Sequence, residues 1–85
     1  MKRIDRMVLD AMRELTGHAA SVPLSTLEIW DEVRANRPWW WLYVSLGAIF
    51  VSLDRLEKEG KVYIWFVEQN GTPRKFAALM KAGRA

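Results

Sequence analysis

The chain contains no cysteine, so disulfides, thiolate metal sites and thiol catalysis are excluded together, and a reducing compartment suits it. Histidine occurs once, at His18, and no cluster of metal-ligating residues stands out. Long apolar runs are also missing. The longest, Trp39 to Val51, is broken by Ser45 and Gly47 and falls short of the roughly 20 residues a membrane-spanning helix needs. Met1-Lys2-Arg3 is followed by Asp5 and Asp10 instead of an apolar signal core. These absences lead to the expectation of a soluble, cytoplasmic protein with no cofactor, no metal and no membrane association. With 85 residues there is room for one domain, residues 1–85, and 51% apolar residues supply its core.

Charge is mildly basic, with 13 Lys and Arg against 10 Asp and Glu, and its distribution is more informative than its sum. From Gln69 to Ala85 the chain holds Arg74, Lys75, Lys81 and Arg84 and no acid, which leaves the rest slightly negative. This basic tail is the expected electrostatic footprint for a polyanion.

Apolar residues Ile4, Val8, Ala11 or Met12, and Leu15 recur at steps of three and four, predicting an amphipathic helix over about residues 3–16 that Gly17 ends. Ser21-Val22-Pro23-Leu24 reads as an extended connector, because Pro23 disfavours helix at the residue before it. Ser25-Thr26-Leu27-Glu28 has the form of a capping box. A second helix over about 25–36 follows, with Leu27, Trp30 and Val33 as its inner stripe, until Arg37-Pro38 stops it. Trp39-Trp40-Trp41-Leu42-Tyr43 is an aromatic bridge between elements. Ser45 is the next cap, and Leu46, Ile49, Phe50, Leu53 and Leu56 mark a third helix over about 46–59 that ends at Gly60. The period then changes to two from Lys61 to Glu68. A turn over Gln69 to Pro73 returns the chain through Arg74 to Leu79, predicting a hairpin over about 61–79.

Three helices followed by a hairpin with a basic tip is the layout of a winged helix-turn-helix, mainly α with a small β-hairpin as a two-stranded wing. Further specificity comes from Val44 to Gly83. Val44-Ser45-Leu46-Gly47-Ala48-Ile49-Phe50, Leu53-Asp54-Arg55-Leu56-Glu57-Lys58-Glu59-Gly60, Pro73-Arg74-Lys75-Phe76, and Leu79 with Ala82-Gly83 resemble the PadR-like transcriptional regulators in order and spacing, over about half the chain. In that family the third helix opens with a Ser-Pro-Gly-like cap and the second wing strand begins Arg-Lys-Tyr. Leu46 and Phe76 are the departures here. The resemblance implies a transcriptional regulator, a repressor acting by promoter occlusion, bound to double-stranded DNA as a homodimer. The family's C-terminal dimerisation region has no counterpart in these 85 residues.

The residues themselves suggest how such binding would work. Ser45 caps the third helix and Gly47 permits close approach of its first turn to a phosphate. Phe50 lies near that contact. Ala48, Val51, Ser52 and Arg55 are candidates for the groove-facing side, with Arg55 directed to a guanine or a phosphate. Arg74 and Lys75 are the wing's backbone contacts. If all four tail cations met phosphates, the salt slope would be roughly 3 to 4 per chain. Dimerisation or partner capture falls to Trp39, Trp40 and Trp41, or to Met7 and Met12 on the first helix, because aromatic residues anchor interfaces well.

Two other functions compete with this one. The third helix is nearly neutral, Asp54, Glu57 and Glu59 balancing Arg55, Lys58 and Lys61, and a winged helix of that kind also suits a protein-interaction module using the Trp-rich surface. An enzyme built on His18 with Ser21 and Ser25 lacks a sheltered pocket and an orienting third group, so no catalytic residue is assigned.

Overall fold

A computed structural model describes residues 2–35 and 44–80. Its first helix, α1 (Arg3–Thr16), stops at Gly17, which takes the left-handed conformation at φ 63° and donates its N–H to the Arg13 carbonyl. Met7, Val8, Leu9, Ala11 and Met12 are all buried, so α1 turns a broader face inward than a single stripe. Leu15, expected inside, is 39% exposed. The breadth follows from position: α1 touches the second helix, the third helix and the sheet.

The connector after α1 ends in a strand that the sequence periodicity missed. β1 (Leu24–Ser25) sets Leu24 opposite Ala77 and Ser25 opposite Phe76, so the sheet has three strands where a two-stranded hairpin was expected. Two residues are too few to show a period. Ser25 then starts α2 (Thr26–Ala35) through the expected reciprocal bonds: the Glu28 N–H donates to Ser25 Oγ and the Ser25 N–H to Glu28 Oε1. Within α2, Ile29 and Val33 are fully buried and Leu27 is 46% exposed, so Ile29 takes the inward place expected of Leu27. Trp30 packs against the core, donates Nε1–H to the Val44 carbonyl at 2.7 Å and carries the Arg34 guanidinium 4.6 Å above its ring.

α3 (Leu46–Lys58) is capped by Ser45, whose Oγ accepts from the Ala48 N–H at 3.1 Å. It buries Ile49, Leu53 and Leu56 completely. Full burial of each such side chain is worth about 1.5–3 kcal/mol. After Gly60, β2 (Val62–Gln69) and β3 (Thr72–Leu79) pair antiparallel without a bulge from Val62 with Leu79 to Gln69 with Thr72. Asn70 and Gly71 form their two-residue loop, both at positive φ, which is the backbone that makes Asn-Gly the favoured hairpin turn. The sheet order is β1-β3-β2.

The described residues thus form a small α+β domain of three helices and a three-stranded antiparallel sheet around one core. No described helix is long and apolar enough to cross a membrane. Met7 and Met12 belong to the core at 8% and 0% exposure, so neither is offered to a partner as expected. Trp39, Trp40, Trp41, Lys81 and Arg84 lie outside the described residues.

Candidate nucleic-acid interface

The residues singled out for binding divide into four places. Ser45, Gly47, Ala48 and Arg55 come together with Ile4, Val44 and Val51 around an open groove of about 480 Å³ along the outer side of α3. Val51, at the middle of this strip, is 53% exposed. Among the described residues, a Cβ added at Gly47 would meet only Ser45 Oγ, at 3.8 Å, an ordinary contact. No contact with a described residue requires a glycine there, although glycine weakens a helix relative to alanine. The bare first turn of α3 therefore faces outward, with the positive end of its dipole at the head of the groove.

Phe50 and Lys75 lie toward the hairpin. Lys75 Nζ donates to Asp54 Oδ1 at 3.0 Å and sits 5.0 Å from the centroid of the half-buried Phe50 ring. Its side chain is only 12% exposed. Lys75, expected as a free phosphate contact, instead braces β3 against α3, and Phe50 belongs to that brace. Arg74 is one residue away, projects from the opposite face of the sheet and is exposed.

Ser52 is inside. It is fully buried and its hydroxyl donates to Asp5 Oδ1 at 2.6 Å, so it cannot read a base edge as expected. Asp5, on α1 and 1% exposed, is the residue that sequence reading overlooked. It also accepts from Arg55, with Nη2 at 2.8 Å from Oδ1 and Nε at 3.0 Å from Oδ2. Burial alone would raise the Asp5 carboxyl pKa. The hydrogen bonds from Arg55 and Ser52, with the charges of Arg55 and Lys2, outweigh it and hold the carboxyl below the ordinary aspartate value. The bond to Asp5 in turn raises the Arg55 pKa, so the guanidinium stays charged. A signal for Asp5 existed: it stands at i, i+3, i+4 and i+7 to the buried Val8, Leu9 and Met12, on the apolar face.

The Asp5–Arg55 pair decides what Arg55 can still do. It is side-on, through Nε and Nη2, and fixes the plane of the guanidinium while Nη1 stays outside the pair. Asp5 and Ser52 thereby lock α3 onto α1, and Arg55 lines the far end of the groove. Among the described residues no group of three or more His, Cys, Asp or Glu could hold a metal ion. No protein-family model, curated protein or solved structure matches this chain.

Proposed function

We propose that the chain is a winged helix-turn-helix domain that binds double-stranded DNA, with α3 in the major groove and the β2–β3 hairpin along the neighbouring backbone, as a transcriptional regulator of the repressor type. The observation that carries this reading is the outward strip of α3. Gly47, Ala48 and Val51 leave its surface low, and Arg55, held in one plane by a carboxylate of another helix, stands at its end. A strip of that shape can enter a groove about 12 Å wide, and a charged guanidinium fixed in advance suits a guanine edge or a phosphate. The element order α1–β1–α2–α3–β2–β3, the central β3 and the PadR-like residues along α3 and the hairpin support the same reading. It needs neither a cofactor nor a metal, and assigns no catalytic residue.

Lys75, Ser52 and Phe50 drop out of the binding set, which becomes Ser45, Gly47, Ala48, Val51 and Arg55 with Arg74 on the hairpin. Phe50 holds Lys75 in the brace beside it. Base reading by so few polar groups is sparse, so sequence preference rests on Arg55 and on the fit of the apolar strip to thymine methyl groups.

Two substitutions test this assignment by fluorescence anisotropy on duplex DNA. Arg74→Ala is expected to weaken binding to every duplex and to reduce the slope of log K against log salt by about 0.9 per chain. An unchanged slope removes Arg74 from the interface. Gly47→Ala should stabilise the free protein by about 0.5 kcal/mol, read by thermal melting, because the Cβ has space and alanine is the better helix former. The same change should weaken DNA binding several-fold by thickening the turn that approaches the backbone. Stabilisation without loss of binding would show that the first turn of α3 does not touch DNA.

A further inference from the structure

β2 is an edge strand: among the described residues only β3 pairs with it, through all eight of its positions. Natural edge strands are protected by lysine, proline, a bulge, shortness or an inward-pointing charge. β2 has no lysine, no proline and no bulge, and it is eight residues long. Its sequence Val-Tyr-Ile-Trp-Phe-Val-Glu-Gln carries one charge, Glu68, near its end, and its pairing with β3 is continuous. Three large hydrophobic residues on this one strand are exposed: Tyr63 at 38%, Phe66 at 65% and Val67 at 37%. On one face Tyr63, Trp65 and, across on β3, Phe76 form a stacked row, with ring centroids 5.2 and 6.0 Å apart. That row ends at the open edge.

We infer that the free edge of β2 pairs antiparallel with the same edge of a second copy of this chain, about a two-fold axis at Trp65. The occupant is argued from self-complementarity. Two identical antiparallel strands in one sheet are related by an axis normal to the sheet, so residues opposite each other point to the same face. With the axis at Trp65, Tyr63 stands opposite Val67 of the second copy and Ile64 opposite Phe66 of the second copy. Each of the three exposed residues thus gains an apolar neighbour. On the aromatic face Phe76 and Trp65 of one copy continue into Trp65 and Phe76 of the other, a row of four across the seam, since Trp65 and Phe76 are already direct partners.

Charge agrees with this register. Lys61 comes opposite Gln69 of the second copy, next to its Glu68, so the charges nearest the seam are of opposite sign. Moving the axis to Ile64 sets Val67 against Lys61, and moving it to Phe66 sets Glu68 against Ile64. The Trp65 register also sets Glu68 against Val62, but of the three it alone gives Tyr63, Phe66 and Val67 apolar partners together. The main-chain groups along the outer edge of β2 gain hydrogen bonds, as in strand-addition interfaces. The seam uses no residue of the outer strip of α3; it lies on the hairpin that carries Arg74, whose cross-strand partner is Val67, so the two readings share that hairpin but are tested on different residues.

Sedimentation velocity from about 5 to 500 μM, without DNA, tests it, with Phe66→Lys as the variant because Phe66 is mostly exposed and its loss leaves the core intact. The expected result is a concentration-dependent dimer for the unmodified chain and at least ~10-fold weaker association for the variant, with unchanged far-UV circular dichroism. The register is read separately. The chain has no cysteine, so Tyr63→Cys and Val67→Cys proteins can be mixed and oxidised with those thiols alone present. The 63–67 link should dominate over 63–63, because residue 63 is offset from its own copy by four residues, about 13 Å. A monomer throughout the range, a dimer indifferent to Phe66→Lys, or a dimer without the preferred 63–67 link would each overturn the inference. None of these outcomes bears on DNA binding, which is measured on other residues.

Discussion

Asp5→Ala is expected to lower the melting temperature by about 10–20 °C, the largest loss from any single polar group described here. The carboxylate is 1% exposed and accepts from Ser52 and from two nitrogens of Arg55. Removing it leaves the buried Ser52 hydroxyl without an acceptor and the Arg55 charge without its partner. Breaking a fully buried pair this way costs about 3–5 kcal/mol. Arg55 is about one-third exposed and can turn partly to water, which brings the expected loss to about 2–3 kcal/mol. Thermal unfolding followed by circular dichroism measures it.

The same group gives stability a pH dependence of known sign. The folded Asp5 pKa lies below the unfolded value, so the unfolded chain binds the proton more readily. The contribution is complete above about pH 5 and is lost as pH falls through the ordinary aspartate value, about 3.9, toward the lower folded one. Asp5→Asn keeps the size of the side chain and removes the titration. The gap in melting temperature between the protein and this variant should therefore shrink between about pH 5 and pH 2. A gap of constant size across that range would mean that Asp5 is not charged in the folded protein.

Val51→Glu is expected to weaken binding to every duplex at least ~10-fold while leaving the fold unchanged, the largest functional effect predicted from one exposed residue. Val51 is 53% exposed in the middle of the outward strip of α3, and glutamate is a better helix former than valine. The free protein should therefore melt within a few degrees of the unmodified chain. In a complex with α3 in the groove, the added carboxylate would stand among phosphates with no cation between them except Arg55. If the outer side of α3 faces away from DNA, the same variant binds as before. Val51 thus bears on binding alone, whereas Asp5 of α1 bears on stability through Ser52 and, through Arg55, on the binding strip as well.

Much of this arrangement was legible in the residues. The limits of α1 and α3, the capping box at Ser25 and Glu28 and the Asn70–Gly71 turn all follow from local chemistry that neighbouring residues dictate. Burial was read less well, because it depends on how many elements surround a helix. α1 touches two helices and the sheet, so Met7, Leu9 and Met12 go inside with Val8, whereas a single stripe places some of them on a flank. Long-range polar pairs were not visible. Arg55 has Glu59 at i+4, yet its partner is Asp5, fifty positions away, and the buried pair removes Ser52 from the groove side. The sequence leaves Lys75 looking like a free cation because Asp54, its partner, is also distant in sequence. β1 escaped notice because its pairing with Ala77 and Phe76 defines it, and two residues carry no period.

We propose the outer strip of α3 as the surface that docks on duplex DNA. The most direct test of this docking is to select bound duplexes from a random pool with the purified protein and then titrate the enriched duplex against a scrambled one at about 150 mM salt, where nonspecific charge contacts are weak. The account predicts an enriched sequence bound at least ~10-fold tighter than its scramble, with the preference lost in Val51→Glu. No enrichment, or equal binding of both duplexes that vanishes with salt, would contradict it.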